Sequence, residues 1–184
     1  VQEKLIREML ALLPQMVKMG DPRSPETKLV GPVITNDAAS EIEERIRLSV
    51  EKGAKIVTGG RRSAAYIEPT ILTDVTPDME VIATETFGPV VSFVTVESFD
   101  KASEIIARSQ YGLQASVFTR DEGSGLVFAR KLNVGTVQIN GSPQRGPDHF
   151  PFMGIKKSGV GVQGVRYSLL AMSRLKSVVI NKPE

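Results

Sequence analysis

An α/β fold, a parallel sheet flanked by helices, is what the order of elements along this chain predicts. Three observations carry that expectation. The β-branched run "PVVSFVTV", residues 89–96, has the continuous apolar character of a strand buried on both faces. After it come a helical stretch over about residues 98–109, the strand "ASVFT", a helix over about residues 124–132 and the strand "GTVQIN". Strands joined by connections of helical length return in parallel, with right-handed crossovers. Finally, 184 residues with 41% apolar content suffice for one domain with a full core.

The remaining elements follow in order. Leu5, Met9 and Leu12 or Leu13 recur at helical spacing, so residues 1–13 read as an amphipathic helix. Pro14 ends its regular part or stands close to its end. "GDPRSPETKLVGPV" is a Gly/Pro-rich connection. The next helix takes Thr35 or Asn36 as N-cap, carries Asp37 in its first turn, shows Ile42, Ile46 and Val50 on one face, and closes at Gly53. "KIVTGG" and "YIEPTILTDV" are short strands parted by a basic turn, and "SVVI", residues 177–180, is a last strand at a sheet edge or on a partner. With no repeat and no low-complexity tract, one α/β domain over residues 1–184 is expected.

Composition narrows the function. The 23 basic residues are scattered among 21 acidic ones, for a net charge of +2. No basic stripe interleaved with aromatics appears, and the pairs Arg61-Arg62 and Lys156-Lys157 are too short to suggest nucleic-acid binding. No apolar run approaches the roughly 18 residues of a membrane span, and the N-terminus has no signal-peptide core. Without cysteine there is no disulfide, no thiolate metal site and no thiol nucleophile, and one histidine argues against a His-based metal site. A cytoplasmic, metal-free protein is expected. The chain opens without Met inside a helical pattern, which points to a piece of a longer polypeptide.

Several motifs invite chemistry. "GVGVQG", residues 159–164, matches a dinucleotide fingerprint but follows a long loop, and no acid stands about 20 positions on; it reads as a Gly-rich turn before a helix. "NGS" at Asn140 is a sequon by form and a strand exit by context. Asp148 and His149 are chain neighbours that point opposite ways, so adjacency does not make them half of a catalytic triad. Glu85 in "ETFGPV" precedes a Gly-Pro turn that leads into a buried strand; such an acid can accept hydrogen bonds from ribose hydroxyls with a ring packed beside the sugar. Arg145 in "QRGPDHFPF" offers a bidentate fork for phosphate, beside a Gly that lets a ligand approach the backbone. Taken alone, Glu85 reads better as a plain surface acid before a turn, and Arg145 reads equally well as a solvated loop arginine. The loop that holds Arg145, "GSPQRGPDHFPFMG", is long for a plain connection and too aromatic for disorder, which marks an ordered loop with a job.

Together "ETFGPV", "YGLQASVFT", "GTVQIN", "PFMGIKKSGVG" and the terminal "KSVVI" resemble the C-terminal part of the catalytic domain of the aldehyde dehydrogenase superfamily. The stretch "QINGSPQRGPDHFPFMGIKKSG" is most similar to members that oxidise glyceraldehyde 3-phosphate to 3-phosphoglycerate with NADP, or NAD, as cofactor. The likeness runs over essentially the whole chain, sharpest at residues 85–89 and 138–164 and weakest in the first 60 or so. It implies that Glu85 holds the nicotinamide ribose with Phe87 beside it. It implies that Arg145, Gly146 and Pro147 lie at the phosphate end of the substrate, that Phe152 lines the aldehyde tunnel, and that Arg166 adds a positive charge near the entrance. It further implies a homo-oligomer, dimer or tetramer, with residues 177–180 used in its contacts. The family acts through a cysteine thiolate, hydride transfer to the cofactor, and release of a thioester by water. This chain has no Cys, so the resemblance implies that the nucleophile and the cofactor-binding domain lie outside it. The alternative is a non-catalytic phosphate-ligand or oligomerisation module, distinguished by the absence of an upstream Cys.

Overall fold

The computed structural model describes residues 3–21, 23–25 and 29–183. The expected helix start at Val1 and Gln2, and Pro22 and residues 26–28 of the expected connection, lie outside the described residues. Contacts divide the chain into two compact units, residues 1–98 and 99–184, where one domain was expected.

In the first unit, α1 (Glu3–Met16) carries Pro14 in its last turn, where the missing amide forgoes the bond to the Leu10 carbonyl and the helix stops two residues on. The short strands β1 (Lys18–Met19) and β2 (Leu29–Val30) pair in parallel. Helix α2 (Asn36–Glu51) begins at Thr35, whose Oγ1 accepts from the Ala38 amide at 3.0 Å. Gly53, at φ +108, ends it in a backbone region closed to most side chains. Ala39, Ile42, Ile46 and Ser49 form its buried face. Val50, expected there, is partly exposed; Ser49 takes its place by donating its hydroxyl to the Arg45 carbonyl.

Strand β3 (Lys55–Thr58) leads through the small hairpin of β4 (Arg62–Ser63) and β5 (Tyr66–Ile67) to β6 (Thr70–Thr73). The one-turn helix α3 (Glu80–Ala83) then precedes β7 (Val90–Ser92). β3 and β6 are antiparallel with a bulge at Ile56–Thr58, whereas β6 and β7 are parallel, so this three-stranded sheet is mixed. Ile42 and Ile46 of α2 pack with Ala54, Ile67, Leu72, Val75, Met79 and Val81 into the core of the unit. The expected doubly buried strand over residues 89–96 is corrected here: only Val90–Ser92 pair, and Val91 is 49% exposed. β7 is the outer strand of its sheet, and only its Val90 side meets that core, which leaves alternation instead of a buried run.

The second unit follows the predicted order more closely. α4 (Phe99–Arg108) is succeeded by β8 (Tyr111–Gly112), β9 (Gln114–Val117), α5 (Glu122–Lys131) and β10 (Thr136–Ile139). β9 and β10 pair in parallel from Thr136↔Gln114 to Ile139↔Val117, with α5 as the crossover between them. α5 starts two residues earlier than expected, because the Asp121 carboxylate accepts from the Gly123 and Ser124 amides. Val117, Phe128 and Leu132 centre the core, with Ala102, Ile106, Ala115, Val134 and Val137 packed on them. The Phe99 and Phe128 rings meet at 4.9 Å between centroids. β11 (Ile155–Lys156) pairs antiparallel with β8, and α6 (Val165–Ala171) follows. "SVVI" forms no strand: Val178, Val179 and Ile180 are 74–87% exposed and no described segment of the chain offers them a ladder. The class is α/β, as predicted; the sheet is neither single nor all parallel.

Candidate functional site

The turn that carries Glu85 is fixed from behind by α2. The Arg45 Nη1 donates to the Glu85 carbonyl at 2.5 Å across 40 residues of sequence. At the other end of the turn, a Cβ on Gly88 would meet Ile42 Cδ1 at 2.6 Å, so a larger residue there would make the buried Ile42 side chain shift. The Pro89 carbonyl then accepts from the Thr70 amide and feeds the chain into β7. Held this way, the turn presents an exposed Glu85 carboxylate and a Phe87 ring that is 86% exposed. Between them, Thr86 keeps a buried Oγ1 without a hydrogen-bond partner. A carboxylate acceptor beside a bare aromatic face fits a sugar with vicinal hydroxyls, which would use both chemistries; the buried Thr86 hydroxyl lies out of its reach. The turn therefore suits the ribose of a dinucleotide.

In the second unit the loop after β10 is ordered by its own contacts. Asn140 leaves the strand at φ +54 and accepts from the Thr119 amide at 2.9 Å, which fixes the exit as the sequence predicted. Gln138 Nε2 donates to the Gln144 carbonyl at 3.4 Å. Arg145 pairs with Asp148 at 3.1 Å, and its guanidinium lies 5.6 Å from the centroid of the Phe152 ring. Its side chain remains 49% exposed, so part of the fork faces solvent. The space a side chain would take at Gly146 is bordered by Phe150, whose Cδ2 stands 3.0 Å from the position of a Cβ. Pro147 is exposed, and its carbonyl accepts from the Phe150 amide to close a turn. Phe152 exchanges both backbone bonds with Gln163, and the Asp148 carbonyl accepts from the Val165 amide. The loop is thus tied to the start of α6, where Arg166 is exposed.

Other features have bland roles. Gly159, Gly161 and Gly164 all take positive φ in the turn before α6, and no dinucleotide-binding strand–helix unit surrounds them. His149 packs edge-on to Phe150. A cavity of about 610 Å³ in the first unit lies among Leu13, Val17, Val30, Thr70 and Val91, with the Arg61–Glu68 pair on its wall. That pairing raises the Arg61 guanidinium above its usual range. Neither Glu85 nor Phe87 lines this cavity. Among the described residues, no helix is long and apolar enough to cross a membrane.

Glu85 and Phe87 thus belong to the first unit, and Arg145, Gly146, Pro147, Phe152 and Arg166 to the second. The structure brings Arg145 and Phe152 together, and ties their loop to the segment that bears Arg166. Two polar partners escaped the sequence reading. Asp148 could have been found by its i+3 spacing from Arg145 across a Pro-containing turn; Arg45 gave no local signal, because its partner lies 40 residues away.

An α/β chain with an exposed acid turn and a basic loop is what the comparisons place in a family. The aldehyde dehydrogenase family matches residues 1–178, and the chain belongs to that family. A curated relative named NADP-dependent glyceraldehyde-3-phosphate dehydrogenase, from Streptococcus equinus, is 43% identical over 98% of this chain and 37% of its own length. Sulfoacetaldehyde dehydrogenase from Neptuniibacter caesariensis is 37% identical over 95% of this chain and 38% of its own. Among solved structures, an NADP-dependent glyceraldehyde-3-phosphate dehydrogenase from Bacillus halodurans C-125, complexed with NADP, superposes with a TM-score of 0.84 at 41% identity. It covers 94% of this chain and 36% of that one. GapN from Methanocaldococcus jannaschii, also complexed with NADP, gives 0.90 at 34% identity over 98% of this chain and 39% of that one. The chain spans just over a third of the length of the curated relatives it matches.

Proposed function

We propose that this chain is the C-terminal portion of the catalytic domain of a cytoplasmic, NADP-dependent dehydrogenase that oxidises glyceraldehyde 3-phosphate to 3-phosphoglycerate. The observation that carries the proposal is Arg145: a guanidinium half open to solvent, stacked on Phe152, on a loop whose backbone is tied down on both sides. That arrangement presents a preorganised fork to a tetrahedral anion. The names of the relatives support the phosphorylated aldehyde and NADP.

In this reading Glu85 accepts from the nicotinamide ribose hydroxyls and Phe87 covers the sugar face, which orients the reactive ring. When bound, NADP supplies the hydride acceptor. Arg145 with Gly146 and Pro147 takes the phosphate, Arg166 adds positive charge near the entrance, and Phe152 excludes water beside the aldehyde carbon. The thiolate that forms the thioester must come from outside these residues, since the 184 contain no Cys. Residues 177–180, with Val178, Val179 and Ile180 apolar and exposed, serve contacts between copies of the full protein.

Sulfonate has the same tetrahedral anionic shape, so the full-length polypeptide is best assayed with four aldehydes. These are glyceraldehyde 3-phosphate, unphosphorylated glyceraldehyde, sulfoacetaldehyde and 3-sulfolactaldehyde, each with NADP and with NAD. The expected order places glyceraldehyde 3-phosphate with NADP first in kcat/KM. A preference for either sulfonate would move the assignment to a sulfoaldehyde dehydrogenase, and turnover of none would leave the oligomerisation or ligand-binding module.

A further inference from the structure

We infer that Arg45 is a positioning residue for the cofactor: it sets the turn that presents Glu85 and Phe87 without touching the ligand itself. The inference rests on the assignment of Glu85 to the ribose. Arg45 sits on α2, three residues after Ile42 and on the same face, with its side chain 22% exposed. Ile42 packs under Gly88 at the far end of the turn while Arg45 bonds the Glu85 carbonyl at the near end. The helix therefore grips the five residues 85–89 at both ends. A guanidinium donor makes this a charge-assisted bond, stronger than the bond a neutral side chain would give.

The local economy of hydrogen bonds explains why this bond matters. Within the turn, the Gly88 amide donates to the Thr86 carbonyl and the Val90 amide to the Gly88 carbonyl, both tight local closures. Neither reaches another element. Two long-range bonds reach the turn, from Arg45 at the start and from the Thr70 amide to the Pro89 carbonyl at the end. The element before Glu85 is α3, a helix of only four residues, so the Arg45 bond adds a long-range hold at the point where the chain leaves it. Loss of that bond would loosen the backbone that carries the carboxylate, whereas the core of the unit, built from other residues, would stay intact. Glu41, 69% exposed, meets the other guanidinium nitrogen at 3.5 Å and provides a control, because its removal leaves the Glu85 carbonyl bond in place.

The test uses the full-length polypeptide with Arg45→Gln, Arg45→Lys, Glu41→Gln, Glu85→Gln and the double variant Arg45→Gln/Glu85→Gln. NADP affinity is measured by titration calorimetry, KM for glyceraldehyde 3-phosphate by steady-state assay, and protection of the peptide over residues 84–89 by hydrogen exchange. Arg45→Gln should weaken NADP about tenfold, leave the aldehyde KM within about twofold, and speed exchange in that peptide. Arg45→Lys should recover part of the affinity, Glu41→Gln should change neither, and the double variant should be no worse than Glu85→Gln alone. Unchanged exchange and affinity in Arg45→Gln, with Glu85→Gln still weakened, would sink the role of Arg45 and leave the ribose assignment standing. So would fully additive losses in the double variant. If Glu85→Gln binds NADP normally, the ribose assignment and the role of Arg45 fall together.

Discussion

Glu85 and Arg145 carry different halves of the proposed chemistry, and their surroundings set how much each replacement should cost. Glu85→Gln in the full-length enzyme removes a charged acceptor for two ribose hydroxyls, worth about 1–3 kcal/mol. Cofactor affinity or the hydride-transfer rate should fall accordingly, with the aldehyde KM nearly unchanged; stopped-flow binding and steady-state kinetics read both. Arg145→Ala should raise KM for glyceraldehyde 3-phosphate far more than for unphosphorylated glyceraldehyde. Because half of the side chain faces solvent, water screens the pair, and about 1–2 kcal/mol, roughly tenfold in KM, is the expected loss. Arg145→Lys keeps the charge and loses the fork and the stack on Phe152, so it should restore only part. Equal losses on both substrates would assign Arg145 to shaping the loop.

At the scale of the element, the two capped helices give separable predictions. Thr35→Ala strips the acceptor from the Ala38 amide and should destabilise the protein by about 1 kcal/mol, read by denaturant unfolding. Asp121 caps α5, and the Ser124 hydroxyl followed by the Ser124 and Gly123 amides lowers its carboxyl from the usual range. A depressed acid stabilises the fold above its unfolded pKa of about 3.9 and loses that contribution as pH falls through the lowered value. Asp121→Asn should therefore melt lower than wild type at neutral pH, with the gap closing as pH falls through the lowered value. A gap independent of pH would mean that the charge contributes nothing. The same elements show what sequence could reveal. Thr35, Gly53 and the βαβ order over residues 114–139 were legible because caps, turn glycine and hydrophobic period are local signals. The length of β7 was not, since it depends on which face of a sheet is covered, and "SVVI" forms no strand within this chain because β-propensity alone supplies no partner edge. In the site, Arg145 and Glu85 could be singled out by residue type and turn context, whereas the grip of Arg45 on Glu85 is a tertiary fact.

For the whole molecule, the purified 184-residue chain should fold at least in part, since each unit buries a core of its own. It should oxidise no aldehyde: with no Cys it lacks the family's nucleophile, and NADPH absorbance should stay at background with glyceraldehyde 3-phosphate and NADP. Turnover that survives repurification and resists thiol reagents would overturn the thioester route. The exposed Leu175, Val178, Val179 and Ile180 should also make the chain self-associate, and removing residues 175–184 should shift sedimentation toward the monomer. The loop over residues 145–152 has a different consequence. Its backbone is sewn to residues 163–165 by three bonds, so its length is locked to the start of α6. New substrate preferences can then arise in this protein by exchanging side chains at 145, 148 and 150 on a fixed template. Insertions or deletions there would tear the seam. A library that varies residue identity at constant length should yield many folded, retuned enzymes, and one that varies length should yield few.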